Sequence, residues 1–370
     1  MKRILFIFGT RPEAIKVAPL IKKLKPSHSL RAVICSTGQH QEMLKQVLDF
    51  FGIKPDFELN LMRQNQDLFD ITSACLLQVK GVIRRTKPDL VLVQGDTATA
   101  FAAALAAYYE KVRVGHIEAG LRSHAKYSPF PEEMNRCLIS RLADLHFAPT
   151  EQSVKNLSRE GITKNVWLTG NTVIDALFLG LNIIKGKKEE AIKDSFRMID
   201  FGKRIILVTG HRRESFGQPL REVCMAIKEI SRKFSAEIIY PVHPNPNVRA
   251  ATKEILEGVK RVHLLGPLDY PSFIWLMKQS YLIITDSGGI QEEAPSLGKP
   301  VLITRVNTER SEGIKAGSAL LVGLHSKKIV DVVSELFREK EGYLAMSRIV
   351  NPYGDGNSAQ RILDILNHIL

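Results

Sequence analysis

Cysteine is scarce in this sequence: 370 residues contain four, and no two of them have C-x-x-C spacing. They lie far apart, at Cys35, Cys75, Cys137 and Cys224. This spread favours buried thiols in a reducing cytoplasm over disulfides or metal ligands. No pair of histidines has the spacing of a zinc protease or a zinc finger, and we therefore expect no metal.

Several familiar nucleotide and hydrolase motifs are missing as well. The sequence has no P-loop and no G-x-S-x-G elbow. Gly9 stands alone after the first strand-like run, where the dinucleotide-binding pattern G-x-G-x-x-G would need three glycines. These absences argue against a first domain that binds NAD.

Long apolar runs and aromatic residues are also few. The opening Met-Lys-Arg is followed by only five apolar residues before Gly9, so we expect no signal peptide, no membrane partner and a cytoplasmic location. The net charge is +13, but the basic residues are scattered in short pairs and aromatics make up only 7%. We therefore expect no nucleic-acid partner, whereas a general positive potential suits a polyanionic substrate.

What the sequence has is a regular alternation of strand-like and helical segments. Most strand-like runs are continuous apolar stretches, which is typical of strands covered on both faces. This alternation predicts parallel sheets of the α/β class. The twelve runs are Ile4–Phe8, Arg31–Ser36, Leu90–Val93, Val112–Ile117, Leu145–Ala148, Val166–Leu168, Ile205–Val208, Ile238–Tyr240, Val262–Leu264, Leu282–Thr285, Val301–Thr304 and Ala319–Val322.

Twelve strands exceed what one doubly wound sheet usually holds, so we expect two domains with six strands each. The lysine-rich, weakly patterned stretch Asn182–Lys203 separates the two groups, and Lys185–Glu190 within it is either a helix surface or a linker. We place the first domain at residues 1–170, completed by a C-terminal helix at 355–370. The second domain then covers residues 171–354.

In open parallel sheets, ligands bind at the carboxyl ends of strands, so the residues that follow strands are the candidates. The apolar run Leu282–Thr285 is followed by Asp286-Ser287-Gly288-Gly289 and then by a helical pattern. Such a turn presents backbone N–H groups and a helix start, and its glycines leave room for an anion such as phosphate. An ordinary strand-to-helix turn is the alternative.

Charged residues follow other strands too. Arg11 and Lys16 flank a helix start, where they would face an anion or simply be solvated. Asp96 would take part in the chemistry or cap the next helix. Glu118 lies in an apolar, glycine-flanked segment, where a carboxylate needs a partner or a raised pKa.

Two further segments carry titratable groups. Glu132 and Glu133 open a helix after a Pro-x-Pro turn, where acids also stabilise the helix dipole. His211 follows a strand and stands among arginines, which favour its neutral form. Carboxylates, a histidine and cations at the ends of two sheets together predict acid–base chemistry on a phosphate-bearing substrate.

Six segments, in order and nearly from end to end, resemble the non-hydrolysing UDP-N-acetylglucosamine 2-epimerases. They are GTRPEAIK at 9–16, GHIEAGLR at 115–122, SPFPEEMNR at 128–136, TGN at 169–171, GHRRESFG at 210–217 and TDSGGIQEEAPSLGKPVL at 285–302. The resemblance implies the GT-B arrangement, with two Rossmann-like domains facing a cleft and the C-terminal helix crossing back onto the first. It also implies a homodimer without a redox cofactor.

The resemblance further implies a reaction. UDP-N-acetylglucosamine and UDP-N-acetylmannosamine would interconvert by elimination and re-addition of UDP through a glycal, to supply surface polysaccharide. Two rival functions stay open. One is epimerisation of a related UDP-2-acetamido sugar, and the other is glycosyl transfer by a GT-B enzyme with the same phosphate site. A sensor that binds the nucleotide sugar without turnover is disfavoured by the intact acids and histidine.

Residue roles follow from the same resemblance. Asp96, Glu118 and Glu132 would form the acid–base set, and His211 would assist the departure of UDP. The substrate-binding residues implied are Arg11, Lys16, Arg136, Phe273, Ser287, Gly288, Gly289, Glu293 and Arg310. Within this group the Ser-Gly-Gly turn would hold phosphate, Glu293 the ribose and Phe273 the uracil, while Arg136 would orient a carboxylate.

Some positions depart from the family pattern. Gln94 stands where many relatives carry His, and Ser311 where many carry Pro, and we expect both to alter rates rather than the reaction. Bacterial relatives are often activated by UDP-N-acetylglucosamine at a second site. Gln39, Gln66 and His243 match parts of that site, whereas Glu42 and Asn65 do not.

Overall fold

The computed structural model describes residues 1–24, 29–38, 41–62, 66–210, 212 and 216–370. In these ranges helices alternate with strands that pair only in parallel. The α/β class predicted from the continuous apolar runs is therefore confirmed. The chain forms two compact units, Met1–Leu179 with Tyr353–Leu370 (unit 1) and Gly180–Pro352 (unit 2).

Unit 1 contains a sheet of seven described strands in the order β3-β2-β1-β4-β5-β6-β7. The strands are β1 (Lys2–Phe8), β2 (Leu30–Ser36), β3 (Phe57–Glu58), β4 (Leu90–Gln94), β5 (Arg113–Ile117), β6 (Leu145–Ala148) and β7 (Val166–Leu168). The helices are α1 (Arg11–Leu24), α2 (Gln41–Phe51), α3 (Leu68–Thr86), α4 (Ala98–Tyr109), α5 (Glu132–Leu142), α6 (Glu151–Arg159), α7 (Thr172–Ile183) and, at the end of the chain, α16 (Ser358–Ile369).

Unit 2 contains six strands in the order β10-β9-β8-β11-β12-β13. They are β8 (Arg204–Thr209), β9 (Ala236–Pro241), β10 (Val262–Leu265), β11 (Leu282–Thr285), β12 (Val301–Ile303) and β13 (Ala319–Leu321). The helices of this unit are α8 (Lys187–Ser195), α9 (Gln218–Lys233), α10 (Pro246–Leu256), α11 (Tyr270–Gln279), α12 (Gly288–Glu293), α13 (Ser311–Ala316), α14 (Ser326–Arg338) and α15 (Lys340–Ser347).

The strand count of unit 1 corrects the expectation of six. The additional strand, β3, consists of Phe57 and Glu58, which pair with the end of β2. Two residues, one of them charged, make no apolar run, so the pattern gave no signal there. In unit 2 the lysine-rich segment is a helix surface and not a linker, since Trp275 Nε1 donates to Glu189 Oε1 of α8 at 3.2 Å.

The order of the strands reverses once in each sheet. In unit 1 the reversal lies between β1 and β4, and in unit 2 between β8 and β11. The loops that leave two such strands run to opposite sides, and the crevice at their carboxyl ends is the usual ligand site of open parallel sheets. The residues after β1, β4, β8 and β11 therefore have the best positions for function.

Burial explains why these strands are central. Leu5, Ile7, Val91 and Val93 of unit 1 are almost fully buried, and the alanine-rich helix α4 packs closely over them together with α3. Small side chains let a helix approach its neighbours closely, so α4 brings its first turn to the end of β4. Unit 2 buries Ile206, Val208 and Ile284 under α9, α10 and α14 in the same manner.

The last helix packs on unit 1, as the predicted fold class required. Asp175 accepts hydrogen bonds from the backbone N–H groups of Ser358 at 3.2 Å and Ala359 at 2.8 Å, which caps the start of α16. Gly170 lies so close to this point that a Cβ would stand 2.6 Å from Ser358 Oγ. Among the described helices none has the length and apolarity that crossing a bilayer requires.

Candidate active site

Glu118 is a buried carboxylate that follows β5 and meets a lysine from α1. Lys16 Nζ donates to its two oxygens at 2.7 and 2.6 Å, and Gln94 Nε2 donates to Oε2. Glu118 is only 7% exposed, so its charge depends on these donors for stabilisation. The sequence-based expectation that this carboxylate needs a partner is met by residues from α1 and β4.

The backbone of Glu118 is held in an unusual conformation. Its φ is +68°, in the left-handed region that residues with a Cβ rarely adopt. Hydrogen bonds on both sides hold it there: Gly95 N donates to Ile117 O at 3.0 Å and Ala119 N to Phe147 O at 3.1 Å. Such strain persists where the surroundings enforce it, and it is commonest at functional sites.

Asp96 follows β4 and pairs with α5. Arg136 Nη2 lies 2.6 Å from Asp96 Oδ2, and Asn135 Nδ2 donates to the Asp96 carbonyl at 2.9 Å. The helix-cap alternative for Asp96 is wrong, because Thr97 is the N-cap of α4 and its hydroxyl accepts from Ala100 N. Asp96 is thus free of a capping role and faces a guanidinium instead.

Asp96 lies within electrostatic reach of the other two predicted acids of unit 1, Glu118 and Glu132. Burial raises the pKa of Asp96 above its ordinary value, Arg136 and Lys16 oppose this, and the charges of Glu118 and Glu132 reinforce it. Glu132 begins α5, and its Oε2 is buried without a hydrogen-bond partner among the described residues. We call Asp96, Glu118 and Glu132, with Lys16 and Arg136, the acid cluster.

Two buried glutamates of unit 1 were missed as functional candidates. Glu133 accepts from Ser123 N at 2.9 Å and His124 N at 3.0 Å and lies 3.5 Å from Arg136, so it supports the guanidinium that pairs with Asp96. Glu13 accepts from the loop after β1 and from Thr97. The T-x-x-E pattern beginning at Thr10 was the available signal for Glu13, since it marks a capping box.

In unit 2 the predicted strand, turn and helix are present as β11, a turn and α12. Arg310 packs on the backbone of this turn: a Cβ on Gly288 would lie 2.7 Å from its Cζ and 2.8 Å from its Nε. The position of Arg310 therefore requires glycine at 288, and so would an anion bound against the backbone of this turn. Glu292, which is 1% exposed, accepts from Arg310 Nε at 3.0 Å and fixes the guanidinium.

Three arginines surround Glu309 and form what we call the arginine cluster, namely Arg212, Arg305 and Arg310. Arg305 Nη1 lies 2.9 Å from Glu309, Arg212 Nη2 lies 3.6 Å from it, and Arg310 also contacts it. Burial would raise the pKa of Glu309, but the three guanidinium groups and a hydrogen bond from its own backbone outweigh burial and hold the value at about 2. Because Arg310 also pairs with Glu292, the cluster sets three guanidinium groups against two carboxylates.

The remaining predicted binding residues of unit 2 lie around the same turn or on α11. Ser287 N donates to Thr285 Oγ1 at 2.9 Å, and Glu293 Oε2 stands 3.9 Å from where a Cβ of Gly289 would be. Phe273 is half-buried in the first turns of α11. Arg11, half-buried, begins α1 in unit 1.

The positions predicted for His211 and the second nucleotide-sugar site are only partly described. His211 and Gln39 lie outside the described residues. Gln66 belongs to unit 1, where its Nε2 donates to Leu61 O at 2.9 Å. His243 belongs to unit 2, is exposed and accepts from Asn245 N at 3.2 Å.

Comparison with known proteins gives a consistent result. A family model described as UDP-N-acetylglucosamine 2-epimerase matches residues 22–367. The chain is 51% identical over 367 residues to a probable UDP-N-acetylglucosamine 2-epimerase of Ralstonia solanacearum, covering 98% of each protein. It is 49% identical over 370 residues to UDP-N-acetylglucosamine 2-epimerase of Escherichia coli K12, covering 99% of this chain and 98% of the relative.

A solved structure extends the likeness to three dimensions. The chain is similar to the crystal structure of UDP-GlcNAc 2-epimerase from Neisseria meningitidis bound to UDP-GlcNAc, with a TM-score of 0.94 and 46% identity. The alignment covers 99% of this chain and 100% of that one.

Proposed function

Because the chain belongs to the UDP-N-acetylglucosamine 2-epimerase family, we propose that it interconverts UDP-N-acetylglucosamine and UDP-N-acetylmannosamine by inverting C2 of the sugar. The observation that carries the proposal is the acid cluster of unit 1, in which Asp96 interacts with Glu118 and Glu132, Lys16 pairs with Glu118 and Arg136 pairs with Asp96. Inversion at C2 needs one proton transfer on each face of the sugar, and a single acid cannot serve both faces.

The reaction that we propose proceeds by elimination. A carboxylate removes the proton from C2, the electron pair of that bond forms a C1=C2 double bond, and the bond from C1 to the phosphate oxygen breaks with its electrons on UDP. UDP then adds back to C1 while C2 takes a proton from the opposite face. This route avoids an unstabilised carbanion at C2, and atoms and charge balance without a redox partner.

Within this proposal the two units have separate roles. Asp96, Glu118 and Glu132 transfer protons, and their environments differ enough to separate them: Glu118 has Lys16 as a partner, whereas the Asp96 carboxyl has a raised pKa beside Arg136. We assign no fixed order to the three. His211 keeps its predicted role at the leaving phosphate.

The arginine cluster supports the leaving-group part of the proposal. Negative charge develops on the diphosphate as the C1–O bond breaks, and guanidinium groups fixed in advance stabilise it. Arg310 is held by Glu292 and packs against the Ser287–Gly289 turn. We assign Arg11, Arg310 and this turn to the diphosphate, Glu293 to the ribose and Phe273 to the uracil.

The proposal extends to assembly and setting. We expect a homodimer, and α3 and α4, which pack on each other, carry the exposed apolar side chains Phe69, Leu77 and Tyr109 that a second copy would cover. Light scattering at micromolar concentration tests this, and a monomer would contradict it.

Buried free thiols at Cys35, Cys75 and Cys224 suit the cytoplasm, where the product would supply surface polysaccharide.

One experiment tests the reaction against its rivals. The protein is incubated with UDP-N-acetylglucosamine in D2O and the sugar signals are followed by proton NMR. We expect UDP-N-acetylmannosamine and loss of the C2 proton signal in both sugars through deuterium uptake. Intact substrate with an unchanged C2 proton would contradict the proposal. Free N-acetylmannosamine would indicate a hydrolysing enzyme, and sugar transfer to an added acceptor would indicate a glycosyltransferase.

A further inference from the structure

Glu13 is a buried carboxylate at the point where the strand order of unit 1 reverses. It lies in the first turn of α1 and is 2% exposed. Its Oε2 accepts from Gly9 N at 3.0 Å and Thr10 N at 2.7 Å, both directly after β1. Its Oε1 accepts from the Thr97 hydroxyl at 2.6 Å, directly after β4. One side chain thus joins the loops that follow the two strands at the reversal.

A capping box alone does not explain these contacts. In α3 of the same unit, Asp67 and Asp70 form such a box, and each of its two hydrogen bonds stays within four consecutive residues. That box is exposed at the surface. Glu13 makes the local bond to Thr10 N but also reaches Thr97, 84 residues further along the chain. Burial of a carboxylate costs free energy, which its hydrogen bonds must offset. The bond to Thr97 is not needed for capping, and it constrains the loop that contains Thr97.

The constraint falls on the residue next to Thr97, which is Asp96. The Thr97 hydroxyl donates to Glu13 and accepts from Ala100 N at 3.0 Å, so its orientation is fixed on both sides. Asn135 holds the Asp96 carbonyl, and Arg136 holds its carboxylate. The backbone of Asp96 is therefore fixed by α5 on one side and by Glu13 on the other. Arg11 begins α1 directly after the loop that Glu13 holds.

We infer that Glu13 is a positioning residue for the epimerisation: by joining the loop at 9–11 to the loop at 95–97, it holds Asp96 and Arg11 in their reactive places. The inference rests on the proposed function. It assigns to Glu13 no contact with substrate, because all three of its donors belong to the protein. Loss of the bond to Thr97 would let the loop at 95–97 shift, and misplacement by about 1 Å can cost about a hundredfold in rate.

The test compares kcat and KM of Glu13→Gln, Thr97→Val and the double variant with wild type, using UDP-N-acetylglucosamine as substrate. We expect each single variant to lower kcat by about 10- to 100-fold with KM changed less than about threefold, as misplacement predicts. Because both variants break the same bond, the double variant should lose little more than the worse single one. Thr97→Ser keeps the hydroxyl and should restore most of kcat.

Two control variants separate positioning from capping. Asp70→Ala removes the side-chain acceptor of the capping box of α3, and Thr150→Val removes the threonine N-cap of α6. Both should lower thermal stability while kcat stays at the wild-type level. If Glu13→Gln and Thr97→Val behave like these controls, or if their effects on kcat multiply in the double variant, the inference is wrong. Should Glu13→Gln not fold, Thr97→Val and Thr97→Ser decide alone.

The experiment also separates this inference from the proposed function. Wild-type protein that exchanges no C2 proton in D2O contradicts the function itself. Wild-type protein that exchanges normally, together with a Thr97→Val variant that turns over equally fast, contradicts only the role of Glu13.

Discussion

The two units of this protein have similar architectures and opposite electrostatics. Each is a parallel sheet whose strand order reverses once, and in each the charged residues lie after the strands at that reversal or after the strand next to it. In unit 1, burial raises the pKa of Asp96 and of Glu13. In unit 2, three arginines hold the pKa of Glu309 at about 2 against the effect of burial. Asp96 and Glu13 of unit 1 thus take up protons more readily than an ordinary carboxyl group, whereas Glu309 of unit 2 keeps its negative charge.

The difference teaches that the scaffold does not decide the chemistry. What differs is the number of cations around each carboxylate: Asp96 pairs with Arg136, whereas Glu309 meets Arg212, Arg305 and Arg310. A raised pKa lets a carboxyl group take up a proton more readily, and guanidinium groups suit the recognition of phosphate oxygens. The division between proton transfer and leaving-group binding that we propose matches this balance. Two measurements test the division, and a third tests how burial shifts a titratable group of unit 1.

The largest expected effect is that of Glu118→Gln in unit 1. The amide keeps the shape but cannot take up a proton, so we expect C2 exchange to fall by about 10²- to 10⁴-fold. The dissociation constant of UDP, measured by calorimetry, should stay within about threefold of wild type, since Glu118 is not among the residues that we assign to UDP. The control is Glu110→Gln, which breaks the surface pair with Arg84. If the variant exchanges the C2 proton near the wild-type rate, Glu118 does not transfer that proton.

A smaller effect is expected from Gly288→Ala in unit 2, and this effect is on UDP binding. The new Cβ would lie 2.7 Å from Arg310 Cζ, so the guanidinium has to leave its place against Glu292 and the turn. Loss of one charge-assisted contact should weaken UDP binding by about 10- to 100-fold. Gly266→Ala is the matched control, because nothing lies within 4 Å of its Cβ position. Equal UDP affinities for the two variants would contradict the role of Arg310.

The smallest effect concerns stability and His116 of unit 1. Burial lowers the pKa of His116 from 6.5 to about 3, although its Nε2 bonds to Gly95 O at 2.8 Å. Below pH 6.5 the unfolded chain therefore takes up a proton here that the folded chain refuses, and stability falls as the pH drops towards 3. Between pH 7 and pH 5 this amounts to about 2 kcal/mol of unfolding free energy.

His116→Gln should remove this part of the pH dependence of the unfolding free energy. Any stability that the substitution itself costs is the same at both pH values and does not affect the comparison. The measurement is urea unfolding at pH 7 and pH 5, with the exposed His368→Gln as control. A wild-type protein and a His116→Gln variant with the same pH dependence would show that the ring is protonated in the folded state. Unit 2 offers a contrast, since its Glu309 loses its charge only near pH 2.

The fold was predictable because its signal is local and repeated. Continuous apolar runs such as Leu282–Thr285 gave the class, and errors occurred where the run was too short, as at Phe57–Glu58. Asp96 and Glu118 could be noticed from their positions after strands and Glu132 from its Pro-x-Pro turn, whereas the grouping of the three acids came from the family resemblance. Their partners could not be found in this way: Lys16 and Glu118 are 102 residues apart, and only the folded sheet brings them together. The N-cap considered for α4 was wrong for a related reason: the carboxylate of Asp96 pairs with Arg136 of α5, which is distant in the sequence, and Thr97 caps the helix instead.

The left-handed backbone of Glu118 has a consequence for how this protein tolerates change. A residue with a Cβ at φ +68° carries a conformational cost of about 1–3 kcal/mol, which glycine would avoid. Glycine would also remove the carboxylate that pairs with the largely buried ammonium group of Lys16, and the loss of one member of a buried ion pair costs about 3–5 kcal/mol. The ion pair therefore outweighs the backbone cost and keeps a carboxylate at position 118.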